Sequence, residues 1–324
     1  MHVILIVVSA VLALGPELVT AQTHRVEEAS FLTVGGIEQW VTIRGDDATK
    51  PVLLLVHGGP GDVQSPYVST YAPYEKGFVL VQWDQRGAGR TFAKNGAAGV
   101  SQARLIADGI DLAQQLKRRF AKQKLFVLGH SWGSLVATGM VQQRPELFDA
   151  YIGTGQVTAW AGVVQFQFDF LKRRYRENGD AQALAALEAI GTPDPRNAKQ
   201  YFGWSRSIRR FLPPADTAWF TRMEKEAIAN GETEASMKVI GDGMMASGAA
   251  LGFADMAGVS LRFALPYYVI QGRDDLFSPT PLAETYFTKV EAPAKRLVVI
   301  EGAGHFALAT HQAEVIAALR QLGR

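Results

Sequence analysis

The chain has 324 residues, of which 48% are hydrophobic and 20% are charged. This length and composition are those of a globular protein with a large core rather than of a disordered chain. The formal net charge is only +2 and the sequence has no long basic stripe, which argues against nucleic acid as a partner. Because the chain contains no cysteine, a thiol nucleophile, a disulfide bond and a thiolate metal site are excluded.

An apolar run at residues 3–14 opens the chain, and small or medium residues follow at Val19 and Ala21. This arrangement suits cleavage by signal peptidase after Ala21. The run is too short to span a bilayer comfortably. We therefore expect residues 1–21 to be a signal peptide that is removed on export to the periplasm or the medium, with no stable membrane span. An uncleaved anchor and a buried first strand are the alternatives.

Short apolar runs alternate with helical stretches through much of the remaining chain. The first two runs flank Gly35-Gly36, a pattern that predicts a β-hairpin. The later runs are nearly continuous, as expected for a parallel sheet that helices cover on both faces. The predicted strands lie at residues 30–34, 39–43, 51–56, 78–83, 125–128, 150–153, 266–270 and 296–300.

The strand pattern stops between residues 156 and 260, where the sequence becomes helical, aromatic and charged. We interpret the basic clusters of this segment as a solvated helix face. The segment is predicted to be a helical cap inserted after the sixth core strand. The core then has two parts, residues 22–155 and residues 261–324.

Residues 129–133 read Gly-His-Ser-Trp-Gly, directly after the predicted strand at 125–128 and before a helix-like stretch at 135–142. Strand, sharp turn and helix are the context of a nucleophile elbow, which lifts the serine hydroxyl clear of the sheet. The Gly-x-Ser-x-Gly pattern alone is weak, but this context makes it specific. Ser131 is the predicted nucleophile.

Residues 57–61 read His-Gly-Gly-Pro-Gly and follow the predicted strand at 51–56. A backbone N–H from this loop, together with that of Trp132, would form an oxyanion hole. We expect Gly59 to be the loop donor, with Gly58 as the alternative. His57 is predicted to hold the loop rather than to act as a base. The other interpretation of the motif is a tight turn without a catalytic role.

A serine nucleophile needs a base and a group that orients the base. His305 is the predicted base, because it lies in a glycine-rich turn after the strand at 296–300. His311 is predicted to face outward on the last helix, and His130 is predicted to point away from the site. Asp274 and Asp275 both follow the strand at 266–270, and either of them could orient the imidazole.

Taken together, these motifs resemble those of the proline iminopeptidase family, serine peptidases that release an N-terminal proline from peptides. The matching motifs lie at residues 57–61, 84–91, 131–134, 272–275 and 302–305, with Thr91 and His130 as departures from the family pattern. The resemblance implies an α/β-hydrolase fold, with a mostly parallel central sheet flanked by helices and a helical cap. It also assigns the acid to Asp275.

The resemblance implies that acidic cap residues, commonly including a Trp-Glu pair, hold the α-amino group of the substrate. This chain has no Trp-Glu dipeptide. Glu224 and Trp219 are the nearest candidates for substrate binding, with Glu226 as a second carboxylate. A glutamate exposed on a helix surface is the competing interpretation.

We therefore expect a serine hydrolase that works through an acyl-enzyme and releases N-terminal proline from small peptides. One alternative is a carboxylesterase or amidase acting on a small apolar ester or amide. Another is a ligand-binding protein that keeps the fold without turnover. No metal and no organic cofactor are expected.

Overall fold

The computed structural model describes residues 24–122, 125–194, 198–252 and 255–322. The predicted signal peptide therefore lies outside the described residues. Within those residues, no helix is long and apolar enough to cross a membrane.

The described part of the chain contains one sheet of eight strands. They are β1 (Val26–Val34), β2 (Ile37–Gly45), β3 (Val52–Val56), β4 (Val79–Trp83), β5 (Leu125–His130), β6 (Phe148–Thr154), β7 (Tyr267–Gly272) and β8 (Lys295–Ile300). Their spatial order is β1-β2-β4-β3-β5-β6-β7-β8. Strand β2 is antiparallel to both of its neighbours, and the remaining pairs are parallel. Each predicted strand is confirmed, with ends that differ by a few residues.

Twelve α-helices occur in the same described ranges. They are α1 (Val68–Tyr71), α2 (Gly89–Asn95), α3 (Gln102–Arg119), α4 (Gly133–Gln143), α5 (Trp160–Glu177), α6 (Ala181–Ile190), α7 (Ala198–Arg209), α8 (Pro214–Ala229), α9 (Glu234–Leu251), α10 (Thr280–Thr288), α11 (Ala307–Thr310) and α12 (Gln312–Gln321). Two short 3-10 helices lie at Ala72–Lys76 and Pro145–Leu147.

The central strand β3 shows why the predicted runs are apolar on both faces. Successive side chains of a strand point to opposite faces. Val52, Leu54 and Val56 belong to the apolar cluster on one face of the sheet. Leu53 and Leu55 belong to the cluster on the other face. Each face is covered, so every residue of this strand is buried.

Helices α5 to α9 lie between β6 and β7 and form the cap. The cap has an apolar cluster of its own, which includes Leu171 and Ile208. Polar contacts anchor it to the core, among them an ion pair of 2.6 Å between Arg90 Nη2 and Glu232 Oε1. The cap therefore rests on the carboxyl-end loops of the sheet and has its own packing.

A buried ion pair ties the first hairpin to the core. Arg86 Nε lies 2.8 Å from Asp108 Oδ2, and the two side chains are 8% and 0% exposed. Asp108 also accepts a hydrogen bond of 2.8 Å from Gln39 Nε2, and Arg86 Nη2 donates one of 3.1 Å to the carbonyl of Gly35. A Cβ on Gly35 would lie 1.8 Å from Asp108 Oδ1, so the hairpin turn closes directly over the pair.

Replacing Asp108 with alanine would leave the Arg86 guanidinium buried without its carboxylate. We expect the free energy of unfolding to fall by about 3–5 kcal/mol, measured by urea denaturation. The matched control is Asp242→Ala, which removes an ion pair of 2.7 Å with Lys238 whose side chains are 52% and 75% exposed. Water screens that pair, so its loss should change stability far less. Equal losses in the two variants would contradict the assignment of Asp108.

Candidate active site

Ser131 lies in the sharp turn between β5 and α4, at the carboxyl end of the sheet. Its φ angle is 52°, in the left-handed region that non-glycine residues rarely adopt. The turn is fixed by its backbone, because Ser131 N–H donates to the Thr154 carbonyl at 2.8 Å and Ser134 N–H donates to the Ser131 carbonyl at 2.8 Å. The structure therefore contains the strand, turn and helix that the sequence predicts here.

The two outer glycines of the Gly-His-Ser-Trp-Gly motif are required by close backbone contacts. A Cβ on Gly133 would lie 2.2 Å from the Val56 carbonyl oxygen and 2.4 Å from that of His57. A Cβ on Gly129 would lie 2.7 Å from Ser134 Cα. Gly133 thus lets the turn pack against the end of β3, and Gly129 lets α4 pack against the end of β5.

His305 lies in the turn between β8 and α11, and its ring contacts Asp275. Its Nδ1 atom is 2.9 Å from Oδ2 and 3.1 Å from Oδ1 of that carboxylate. The backbone N–H groups of Phe277 and Ser278 donate to Asp275 Oδ1 at 2.9 and 2.7 Å, and Gln271 Nε2 donates to Oδ2 at 3.0 Å. These bonds fix the carboxylate.

The neighbouring Asp274 is exposed. Its backbone N–H donates to the Ala303 carbonyl at 2.9 Å, which ties its turn to the turn that carries the histidine. Of the two aspartates that the sequence leaves open, Asp275 is therefore the one that contacts the imidazole.

The surroundings of His305 favour its protonated form. Burial lowers the pKa of the imidazole, but the charge and hydrogen bond of Asp275 raise it more, and Asp216 and Asp62 raise it further. The pKa consequently lies above its ordinary value of 6.5. An imidazole of this kind takes up a proton more readily than one in water.

The loop after β3 is held by His57. Its Nε2 atom accepts a hydrogen bond of 3.1 Å from Gln85 N–H, and Gln85 Nε2 donates to the His57 carbonyl at 2.9 Å. Burial lowers the pKa of His57 to about 4, so the ring is neutral at pH 7. Gly59 and Trp132 both lie beside Ser131 in a shared pocket. Their role as oxyanion donors stays a prediction.

The prediction that His130 points away from the site is wrong. Its ring centroid lies 5.0 Å from that of His305, and its Nδ1 atom is 3.0 Å from Thr154 Oγ1. His130 is the last residue of β5, so its side chain shares a face with Leu128 and emerges beside the catalytic histidine candidate. Burial, with a contribution from His305, lowers its pKa well below 6.5 and keeps it neutral.

A cavity of about 740 Å³ lies between the core and the cap, and Ser131 and His305 both line it. Its charged lining residues are Asp62, Glu224, Glu234, Arg209 and Lys238. Its large apolar lining residues are Phe220, Met223, Met237, Met244, Phe277 and Phe306. Across the described ranges, no group of three or more histidines or carboxylates could hold a metal ion.

Ser131 also lines a smaller pocket of about 60 Å³. Trp132, Val157 and Val163 are among the apolar side chains that line it. The serine hydroxyl therefore stands where a small pocket and a large cavity meet.

The predicted substrate-binding residues fall in different places. Glu224 lines the large cavity. Glu226 instead accepts hydrogen bonds from the N–H and hydroxyl of Thr70, at 2.9 and 2.8 Å. Trp219 is 2% exposed and packs edge to face on Tyr67, with ring centroids 5.1 Å apart. Its predicted contact with substrate is therefore corrected to a packing role, because the docking of α8 turns the indole into the core.

The sequence interpretation missed Asp62 and Glu234, which also line the large cavity. A signal for Asp62 was available, since it directly follows the His-Gly-Gly-Pro-Gly motif. No such signal exists for Glu234. The sequence of its helix, α9, does not indicate which face of the helix meets the core.

Comparison with known proteins agrees with this geometry. Residues 51–312 match the α/β hydrolase fold family. A probable aminopeptidase of Bacillus subtilis is 30% identical over 293 residues, which cover 85% of this chain and 89% of that protein. A proline iminopeptidase of Lactobacillus helveticus is 22% identical over 297 residues, covering 88% of this chain and 94% of the relative.

The solved structure of a Mycobacterium smegmatis proline iminopeptidase superposes with a TM-score of 0.63 at 15% identity, over 91% of this chain and 97% of that one. The chain is therefore a hydrolase that belongs to the α/β hydrolase family, among its proline iminopeptidase-like members.

Replacing Gly133 with alanine would drive a Cβ into two backbone carbonyls that have no room to move. We expect a loss of stability of about 1–3 kcal/mol by overpacking, and a loss of Ser131 labelling by a fluorophosphonate probe. The matched control is Gly241→Ala in α9, where a Cβ meets no atom within 4 Å and should be tolerated. Wild-type labelling and stability in Gly133→Ala would refute the packing described for the turn.

Proposed function

We propose that this chain is a serine hydrolase that works through an acyl-enzyme. Ser131 is the nucleophile, His305 the general base and Asp275 the group that orients the base. The observation that carries the proposal is the buried contact between His305 and Asp275, which opens onto the same cavity as Ser131 in its left-handed turn. A nucleophile, a base and an orienting acid are the parts that such catalysis needs.

The bonding of His305 assigns its two nitrogens. With Nδ1–H donating to Asp275, Nε2 is free to take the proton of Ser131 as the serine oxygen attacks a carbonyl carbon. The N–H groups of Gly59 and Trp132 stabilise the oxyanion that forms, and loss of one such donor typically lowers kcat by about 10²–10³. His305 then protonates the leaving group, and water releases the acyl group by the reverse proton path.

Ser131 lines both the large cavity and the small pocket. The acyl group carries the free amine of the substrate, so we assign the proline ring to the large cavity, whose wall has both carboxylates and apolar side chains.

We propose further that the substrates are peptides with an N-terminal proline. The free amine of such a substrate is two bonds from the reacting carbonyl carbon, so a carboxylate near Ser131 is needed to pair with it. Glu224 and Asp62 are the candidates that line the cavity. Burial raises the pKa of Asp62 to about 6, which leaves it ionised at pH 7. The names of the relatives, aminopeptidase and proline iminopeptidase, support the same substrate class.

A carboxylesterase or amidase is the second candidate. Six phenylalanine and methionine side chains line the large cavity, and such a wall favours an apolar leaving group.

Export by a cleaved leader at residues 1–21 also remains a prediction.

The first experiment compares the wild type with Ser131→Ala on proline p-nitroanilide and p-nitrophenyl acetate. We expect the wild type to hydrolyse both substrates and the variant, which lacks the nucleophile, to lose both activities by at least about 10³-fold. Ester turnover alone, lost in the variant, would transfer the assignment to the esterase. Turnover that survives in Ser131→Ala would overturn the nucleophile, and failure of the wild type to react with a fluorophosphonate probe would favour a non-catalytic binder.

A second experiment tests the amine site with Glu224→Gln. Removing a charge-assisted hydrogen bond to the substrate amine should lower kcat/KM for proline p-nitroanilide by roughly 10- to 100-fold and leave p-nitrophenyl acetate unaffected. Glu226→Gln is the matched control, because Glu226 lies on the same helix and bonds Thr70 instead. Equal effects of the two variants on the amide would contradict the role of Glu224.

A further inference from the structure

A cap carboxylate reaches the turn that carries His305. Asp216 lies in the first turn of α8 and is 0% exposed. Its Oδ2 atom is 3.5 Å from the backbone nitrogen of Phe306. Its Oδ1 atom is also buried and finds no hydrogen-bond partner among the described residues. The catalytic turn is thus in contact with a charged group that belongs to the cap.

The fit between this carboxylate and the turn depends on Gly304. A Cβ on Gly304 would lie 2.2 Å from Asp216 Oδ2 and 2.7 Å from its Cγ. The glycine therefore makes room for the carboxylate immediately before His305 in the chain. The need for glycine at this position of the motif therefore comes from a contact with the cap.

Burying a carboxylate oxygen without a partner is unfavourable unless its charge is compensated. Burial raises the pKa of Asp216 to about 6, while the positive charge of His305 and the backbone N–H groups of Phe306 and His305 lower it. At pH 7 the carboxylate is consequently ionised for most of the time. The groups that compensate the buried charge of Asp216, which are the His305 imidazolium and the N–H groups of His305 and Phe306, all belong to the His305 turn.

We infer that Asp216 is a positioning residue for His305, holding the turn of the catalytic histidine from the cap and adding a second negative charge to the surroundings of its imidazole. The inference rests on the proposed role of His305 as the base. Asp275 orients the ring through Nδ1, whereas Asp216 acts on the backbone and through its charge. It stabilises the imidazolium that forms as Ser131 attacks.

This arrangement couples the cap to the chemistry. Asp216 lies on α8, which also carries Glu224 and Phe220 of the cavity wall. One cap helix therefore contributes both to the cavity wall and to the surroundings of His305.

Three other titratable groups lie near His305 and affect any measurement of its pH dependence. Asp275 and Asp62 raise the pKa of the imidazole, as Asp216 does. His130 lies 5.0 Å away, ring centroid to ring centroid, and stays neutral. The test must therefore remove the charge of Asp216 and leave these groups in place.

The rate of Ser131 labelling by a fluorophosphonate is measured from about pH 5 to about pH 9 in the wild type, Asp216→Asn and Asp216→Ala. Loss of the charge lowers the pKa of His305, so the acid limb of Asp216→Asn should move to lower pH. The ratio of the rate at about pH 5 to the plateau rate should rise by roughly two- to tenfold. The plateau itself should fall, and fall further in Asp216→Ala. Asp169→Asn, which changes an exposed cap carboxylate that accepts a hydrogen bond of 2.9 Å from Gln165 Nε2, should behave as the wild type.

A purely structural role would lower the rate at every pH by one factor and leave the limb unmoved, and that result overturns the inference. If the wild type is not labelled at any pH, the proposed function fails instead. Titration of the His305 ring nitrogens by NMR, in Ser131→Ala with and without Asp216→Asn, then decides the inference alone. A lower pKa in the double variant supports it, and equal values refute it.

Discussion

The site depends on one close backbone approach, that of the turn around Ser131 to the end of β3. Gly133 packs directly on the carbonyls of Val56 and His57, and this contact leaves no room for a side chain. The same contact places the Ser131 turn next to the loop that carries Gly59, because His57 begins that loop. The serine and the proposed oxyanion donors are thus located relative to each other by a strand that is buried at every residue. Strain at a single residue is tolerated because the core around it fixes the backbone.

Parallel strands explain how residues far apart in sequence meet at this turn. Strands β5, β7 and β8 run in the same direction, so the segments that follow them all emerge at one edge of the sheet. The backbone links between the last two turns, such as Arg273 N–H to the Ile300 carbonyl at 2.9 Å, bring Asp275 and His305 into register. The sheet therefore sets the geometry of the proposed triad. The cap is an addition to this core.

The cap contributes what the sheet cannot, which is a charged wall above the serine. Its helices supply Glu224 and Phe220, and through Asp216 they also reach the histidine turn. The proposed amine site and the proposed contact to the base are in this way joined in one helix, α8.

The sequence by itself determined the sheet, the elbow and the histidine, because each leaves a local pattern. Strands that are buried on both faces must be apolar throughout, and the turn at Ser131 must have glycines two positions away on either side. The choice of Asp275 over Asp274 needed the family resemblance, since both residues follow the same strand. Only the tertiary structure decided the positions of His130, Trp219 and Asp216. Their roles depend on which face of a strand end or a cap helix meets the site, and that is set by the docking of elements distant in the chain, which no local pattern records.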